Sequence, residues 1–183
     1  MGKNVLVITS SPRKEGNTNT IAQAFVAGAL AYENKVEVFD AFSANLDGCH
    51  GDASCHERGF CGLKDDGVKL HELMCWADVL VLVSPVYWKS FTSYMKKVID
   101  RFYPYAAPKP RAACTVKETY LIAAAGQPDE SIFKNMIEEF DFVNTLLGFE
   151  KKGVLLAPGL QGPDEAGKDE SLLFKAVMMG AKI

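Results

Sequence analysis

Short apolar runs alternate along this chain with segments in which apolar side chains recur at helical spacing. The runs at residues 5–8 and 79–83 are uninterrupted and rich in β-branched side chains, as in strands buried on both faces of a parallel sheet. Shorter runs predict strands at residues 36–39, 120–124 and 154–156. Between the strands, the helical period predicts helices over residues 18–31, 65–77, 91–102, 133–140 and 172–177.

This alternation predicts an α/β fold in which helices cover both faces of an open, five-stranded parallel sheet. For five strands the common order is 2-1-3-4-5, and ligands then bind beyond the carboxyl ends of strands 1 and 3. Those ends lead into residues 10–18 and 84–90. A length of 183 residues, 48% of them hydrophobic, is enough for one domain over residues 1–183, and no repeat or linker divides it.

The first of these two loops is rich in hydrogen-bond donors and ends in a predicted helix. Donor side chains are carried by Ser10, Ser11, Asn17 and Thr18. Gly16 adds no side-chain bulk, and Arg13 offers a planar fork for bidentate contact with an anion. Free N–H groups and the positive end of the helix dipole favour a phosphate here. The alternative is a polar turn in which Asn17 or Thr18 is an ordinary helix N-cap.

Three motifs of the chain together resemble those of the NADPH-dependent FMN reductase and iron–sulfur flavoprotein group. They are ITSSPRKEGNT at residues 8–18, SPVYW at 84–88 with Ala77-Asp78 before it, and Lys97 followed by Asp100-Arg101. Their order and spacing match over nearly the whole chain, although Ser10 stands where that group usually has glycine. The resemblance implies a flavodoxin-like α/β/α sandwich whose first loop holds the phosphate of FMN through Ser11, Arg13, Asn17 and Thr18.

The second loop suits the ring of a flavin, which is flat and amphipathic. The backbone of residues 86–88 offers N–H and C=O groups for the polar edge of the ring, and Tyr87 and Trp88 offer aromatic surface. The predicted cofactor residues here are Pro85, Val86, Tyr87 and Trp88. Gly126 follows strand 4 at the same edge and is predicted to approach the flavin, as in similar proteins. The alternative is that the two aromatic side chains belong to the core.

The connection at residues 40–64 is longer than most structural loops and contains Cys49, Cys55 and Cys61. Iron–sulfur flavoproteins have a Cys-x2-Cys-x2-Cys-x5-Cys-like segment at the corresponding place, which implies Cys49, Asp52, Cys55 and Cys61 as ligands. Because clusters are normally held by four thiolates, Asp52 leaves three outcomes open: a cluster, an empty loop, or free or reversibly oxidised thiols. Zinc with His50 and His56 is a further alternative, although its ligand spacing is poor.

Together these features predict an FMN-dependent oxidoreductase that uses NAD(P)H to reduce flavin, quinone or another small acceptor. The flavin would carry the chemistry, so no side chain is predicted to be a catalytic acid or base. A second hypothesis is an iron–sulfur flavoprotein-type carrier that takes electrons from ferredoxin. A third is a flavin-free binding module on the same fold.

Charge and cysteine content bear on partners and location. A net charge of -3, with scattered Lys and Arg, argues against nucleic-acid binding. The apolar run near the start is too short for a signal sequence or membrane span, so we expect no membrane partner. Five cysteines, an odd number, indicate a reducing compartment, and we predict the cytoplasm. The resemblance also implies a homodimer or homotetramer.

Overall fold

The five predicted strands form one parallel sheet in a computed structural model that describes residues 2–107 and 113–183. They are β1 (Asn4–Thr9), β2 (Lys35–Asp40), β3 (Val79–Pro85), β4 (Glu118–Ala124) and β5 (Glu150–Ala157). The order is β2-β1-β3-β4-β5, and every neighbouring pair is parallel. This confirms the predicted flavodoxin-like strand order.

The α-helices of the described residues are α1 (Asn17–Leu30), α2 (Cys55–Arg58), α3 (Gly67–Trp76), α4 (Ser93–Asp100), α5 (Lys134–Leu147) and α6 (Glu170–Gly180). Short 3-10 turns occur at Tyr103–Ala106, Glu130–Phe133 and Ala166–Lys168. None of these helices is long and apolar enough to cross a membrane.

The predicted boundaries differ from the structure in several places, the largest being helix α5, which ends at Leu147 rather than at residue 140. The short helix α2 lies in the long connection, which has no clear hydrophobic period. Strand β5 begins four residues earlier than predicted because its first residues are polar and exposed on an edge strand. Helix α4 begins later than predicted because Thr92 is its N-cap and accepts a hydrogen bond from the Met95 N–H at 3.2 Å.

Two apolar layers cover the sheet, because alternate residues of each inner strand point to opposite faces. On β1, Val5 and Val7 pack against α1 and α6, whereas Leu6 and Ile8 belong to the layer formed with α3, α4 and α5. All four are fully buried. The uninterrupted apolar runs therefore correspond to strands buried on both faces, as predicted.

The carboxyl ends of β1 and β3 lie side by side, which brings the two predicted loops together. Thr9 pairs with Val83 in the sheet, and the Ser10 N–H donates to the Val83 carbonyl at 3.1 Å. The Thr92 hydroxyl, at the end of the second loop, donates to the Ser10 carbonyl at 3.4 Å. These contacts fix the spacing between the loops at the edge of the sheet where ligands bind in this class of fold.

Candidate functional site

A cavity of about 180 Å³ opens at this edge of the sheet, between the loops that follow β1, β3, β4 and β5. Nine of the ten predicted cofactor residues line it: Ser11, Arg13, Gly16, Asn17, Thr18, Pro85, Val86, Tyr87 and Gly126. The tenth, Trp88, does not. The cavity is also lined by Ala124, Ala125, Leu160 and Gln161, which are not among the predicted cofactor residues. They could have been predicted from the topology, because the carboxyl ends of β4 and β5 lie at the same edge of the sheet.

The first loop folds tightly on itself and leaves the start of α1 open. The Ser11 hydroxyl accepts from the Arg13 N–H at 3.2 Å, and the Gly16 N–H donates to the Arg13 carbonyl at 3.0 Å. A Cβ on Gly16 would lie 2.9 Å from the Arg13 Cβ, closer than such atoms approach. No side chain caps α1, and its first turn has no acidic residue. The first N–H groups of α1 can therefore meet an anion.

Three of the predicted donors use their side chains elsewhere. The Ser11 hydroxyl donates to the Arg13 carbonyl at 3.3 Å. The Asn17 amide donates to the Gly162 carbonyl at 2.6 Å, and its Oδ1 accepts from the Ala166 N–H at 2.9 Å. The Ser10 hydroxyl is fully buried and lies 3.3 Å from the Val83 carbonyl oxygen. Asn17 thus holds the loop after β5 over the start of α1, and its backbone N–H is what remains for a phosphate.

The second loop ends in a tight turn with an unusual backbone. Tyr87 and Ser90 exchange two backbone hydrogen bonds of 3.0 Å each, while Trp88 and Lys89 between them have φ values of +51° and +64°. Positive φ at both central residues is the pattern of a type I′ turn, which usually contains glycine or asparagine. The Trp88 side chain is fully exposed, whereas Tyr87 is about half exposed and lines the cavity.

Side chains of α4 and α5 hold this turn in place. The Ser90 hydroxyl donates to one carboxylate oxygen of Glu139 at 3.3 Å, and the Lys96 ammonium donates to the other at 2.7 Å. Burial alone would lower the pKa of Lys96, but the hydrogen bond and charge of Glu139 outweigh it and raise that pKa. The ion pair therefore holds Glu139 in place beneath the loop.

A buried ion pair closes the cysteine-containing segment between residues 47 and 65. Arg101 donates to both carboxylate oxygens of Asp65, at 2.7 and 2.8 Å, and to the Asp47 carbonyl at 3.1 Å. Asp65 also accepts from the backbone N–H groups of Asp47 and Gly67. Burial would raise the pKa of Asp65, but these hydrogen bonds and the Arg101 charge lower it to about 2. The two ends of the segment are thus held side by side.

The four predicted metal ligands line one small cavity of about 30 Å³ beside Arg101, but they do not form a ligand set. The Asp52 carboxylate accepts from the N–H and hydroxyl of Ser54, at 3.0 and 2.8 Å, which lowers its pKa. Burial raises the pKa of the Cys55 thiol, and Cys61 and Cys49 raise it further. Over residues 2–107 and 113–183, no three His, Cys, Asp or Glu side chains are grouped to hold a metal ion.

A four-ligand cluster therefore does not fit this loop as it stands, and the ligand assignment stays a prediction. The two histidines of the zinc alternative contact other groups. His50 lies 3.4 Å from an Asp47 carboxylate oxygen, and His56 lies 3.2 Å from the Tyr103 carbonyl oxygen.

Comparison with known proteins connects these features to a family. Residues 3–156 match the family model described as NADPH-dependent FMN reductase. An iron-sulfur flavoprotein of Archaeoglobus fulgidus is 30% identical over 184 residues, which cover 96% of this chain and 76% of that protein. The Bacillus subtilis protein YwqN is named as an NAD(P)H-dependent FMN-containing oxidoreductase. It is 24% identical over 176 residues, which cover 94% of this chain and 93% of YwqN.

Among solved structures, an NAD(P)H:quinone oxidoreductase from Methanothermobacter marburgensis superimposes with a TM-score of 0.75. The two share 21% sequence identity, and the match covers 100% of this chain and 96% of the other. At this identity the likeness shows a common flavodoxin-like fold. With the family match over most of its length, the chain belongs to the NADPH-dependent FMN reductase family, a family of oxidoreductases that use FMN and NAD(P)H.

Proposed function

We propose that this protein holds FMN in the cavity at the carboxyl edge of the sheet and uses NAD(P)H to reduce flavin, quinone or another small acceptor. The observation that carries the proposal is the convergence of separate loops on one cavity next to the uncapped start of α1. A charged phosphate needs donors and positive potential, and the start of a helix offers both.

The residues that line the cavity fit the two ends of FMN. The phosphate is suited by the backbone N–H groups of the first turn of α1, the Thr18 hydroxyl and the exposed Arg13 side chain. The Ser11 hydroxyl would exchange its hydrogen bond to the Arg13 carbonyl for one to the phosphate. The tight fold of this loop requires glycine at position 16, because a Cβ there would press against Arg13. The loop with Val86 and Tyr87 offers backbone polar groups and an aromatic surface for the ring.

When bound, FMN supplies the hydride and electron chemistry. The side chains around the cavity need only bind and orient it. Arg13 and the α1 dipole offset the negative charge of the phosphate. Asn17 holds the loop with Leu160 and Gln161 in place, so that the far wall of the cavity stays fixed.

The proposal is tested by titrating the purified protein with FMN and following NADPH oxidation. We expect one FMN per chain, and we expect Gly16→Ala to weaken FMN binding about tenfold, because its Cβ would push against Arg13. Gly167→Ala is the matched control, because a Cβ there would meet only the Thr20 Cγ2 at 4.0 Å. A protein that takes up no FMN from excess cofactor contradicts the proposal.

An electron carrier of the iron–sulfur flavoprotein type is the second candidate, because a relative has that name and three cysteines line one cavity, although the loop would have to rearrange to bring them together around a cluster. In that case ferredoxin rather than a nicotinamide would donate electrons. Iron and sulfide analysis of anaerobically purified protein decides between the two. Less than one iron per chain with steady NADPH oxidation supports the reductase, and stoichiometric iron and sulfide support the carrier.

The proposed assembly is a cytoplasmic homodimer or homotetramer. An apolar groove of about 480 Å³ between α4, α5 and the cysteine-containing segment is lined by the exposed side chains of Tyr103, Phe142 and Leu146, among others. Large exposed apolar patches commonly mark interfaces. Light scattering that gives the mass of one chain at micromolar concentration would contradict this proposal.

A further inference from the structure

The carbonyl oxygen of Arg13 accepts more hydrogen bonds than it needs. Three groups donate to it: the Gly16 N–H at 3.0 Å, the Asn19 Nδ2 at 3.0 Å and the Ser11 hydroxyl at 3.3 Å. A carbonyl oxygen has two lone pairs, so two donors are enough to satisfy it. The Ser11 hydroxyl makes the longest of the three bonds and is the donor that this carbonyl can lose at the least cost.

The Asn19 side chain reaches this loop from outside the cofactor cavity. Asn19 lies in the first turn of α1, and its amide also donates to the Lys14 carbonyl at 3.2 Å. It lines a groove beside α1 and β2 and is not among the residues around the cavity. The carbonyl groups of Arg13 and Lys14 therefore point toward Asn19 rather than toward the space proposed for the phosphate.

The chemistry of the amide decides which of its ends faces the loop. A carbonyl oxygen needs a donor, and only the NH2 end of an asparagine side chain donates. The Asn19 Oδ1 is buried, and no group in the described part of the chain donates to it. Turning the amide over would bring Oδ1 against two carbonyl oxygens. Asn19 thus presents its donor end to Arg13 and Lys14 at the expense of its own oxygen, which a side chain without a task at this loop would not do.

We propose that Asn19 is a positioning residue for the FMN phosphate, and that it acts through Ser11. Asn19 and the Gly16 N–H together satisfy the Arg13 carbonyl, so the Ser11 hydroxyl is free to turn to the phosphate when the cofactor binds. Without Asn19, the Ser11 hydroxyl becomes the second donor that this carbonyl needs. The inference rests on the proposed function and makes Asn19 a determinant of the preference for FMN over riboflavin.

The first experiment compares the affinities of the purified protein for FMN and riboflavin. We expect Asn19→Ala to raise the Kd for FMN about three- to tenfold, the effect of one hydrogen bond, and to leave the Kd for riboflavin unchanged. Asn19→Asp should raise the Kd for FMN at least as much, because it has the same shape and no donor. Gln23→Ala is the matched control, because it removes an exposed amide one turn further along α1, and it should change neither constant.

A double-mutant cycle tests whether Asn19 acts through Ser11. In a Ser11→Ala background there is no hydroxyl to release, so Asn19→Ala should then raise the Kd for FMN less than about twofold. The full effect of Asn19→Ala in that background overturns the inference. An equal rise in the Kd for riboflavin, or an unchanged Kd for FMN in Asn19→Ala alone, overturns it as well. Failure of the proposed function is distinct, because wild type and Gln23→Ala would then also bind no FMN.

Inorganic phosphate tests the same loop without a flavin. It should raise the Tm of the wild-type apoprotein more than sodium chloride of the same ionic strength does, and Asn19→Ala should reduce this difference. Without phosphate, the two proteins should unfold at the same urea concentration, because Ser11 then satisfies the Arg13 carbonyl in either protein. A clearly lower urea midpoint in Asn19→Ala, or a phosphate effect as large as in wild type, overturns the inference whether or not the protein takes up FMN.

Discussion

A single buried arginine holds together the most irregular part of the molecule. Arg101 is 5% exposed and binds both oxygens of Asp65, which lies in the loop before α3. A buried ion pair adds little net stability compared with apolar side chains of the same size, but the loss of one partner leaves a charge without compensation. Arg101 is therefore the residue on which the closure of the cysteine-containing segment depends.

Asp65→Asn should lower the free energy of unfolding by about 3 kcal/mol, since Arg101 then keeps a buried charge without a carboxylate partner. Urea unfolding of the apoprotein measures this cost. The control is Glu138→Gln, which breaks the exposed pair between Lys134 and Glu138. An exposed pair of this kind contributes about 0–1 kcal/mol. Equal effects of the two substitutions would show that the Arg101 pair is not buried in solution.

The same carboxylate predicts how stability depends on pH. The pKa of Asp65 is about 2 in the folded protein against a usual 3.8, so the unfolded chain takes up the proton first as the pH falls. Asp65 therefore stabilises the fold fully above about pH 4, and this contribution of about 2 kcal/mol is lost between pH 4 and pH 2.

Unfolding of wild type and Asp65→Asn across that range measures the contribution. The difference between their free energies of unfolding should shrink by about 2 kcal/mol from pH 5 to pH 2. A difference that stays constant over the range would mean that the Asp65 pKa is not lowered by folding.

At the scale of elements, α1 and α6 pack closely because each contributes a glycine. A Cβ on Gly28 of α1 would lie 2.0 Å from the Val177 carbonyl oxygen, and one on Gly180 of α6 would lie 2.1 Å from the Phe25 carbonyl oxygen. Both contacts are with backbone, which cannot move as a flexible side chain would. This helix pair covers one face of the sheet, and α1 carries the proposed phosphate site at its start.

Gly28→Ala should therefore destabilise the protein by about 2 kcal/mol, even though alanine favours a helix more than glycine does by about 1 kcal/mol. Chemical unfolding measures the effect. Gln23→Ala, at an exposed position of the same helix, should change stability by less than about 0.5 kcal/mol. If Gly28→Ala proves neutral or stabilising, the two helices are farther apart than the structure places them.

The sequence predicted those elements whose hydrophobic pattern is set by burial. Strands β1 and β3 are fully buried on both faces, so their apolar runs could be recognised without further information. Helix α2 and the polar start of β5 lack such a pattern. The type I′ turn at Trp88 and Lys89 could not be predicted from the sequence either. It contains no glycine or asparagine, and a contact with α5 imposes it.

The sequence indicated which residues lie near the cavity better than it indicated which groups their side chains contact. Nine of the predicted cofactor residues line one cavity because topology decides which strand ends meet. The partners of Asn17 lie 145 and 149 residues further along the chain, and no local pattern indicates them. Likewise, the Ser54 contacts of Asp52 depend on a local loop conformation that the spacing of the cysteines does not fix.

For the molecule as a whole, the proposed cofactor site joins loops from four strands, so its occupation should stabilise the entire fold. FMN at about 100 times its Kd contributes about 2.7 kcal/mol, because it binds the folded chain alone. For a chain of this size, that corresponds to a rise in Tm of about 5–10 °C, measured by calorimetry with and without FMN.

Riboflavin is the matched control for this measurement, since it has the same ring and lacks the phosphate. If the start of α1 and Arg13 bind the phosphate, riboflavin at the same concentration should raise the Tm by only a small part of the FMN shift. Gly16→Ala should reduce the FMN shift toward that of riboflavin, because the substitution alters the phosphate loop and leaves the loop with Tyr87 unchanged. Equal shifts with FMN and riboflavin would locate the binding energy in the ring and exclude the loop at residues 10–18 as the phosphate site.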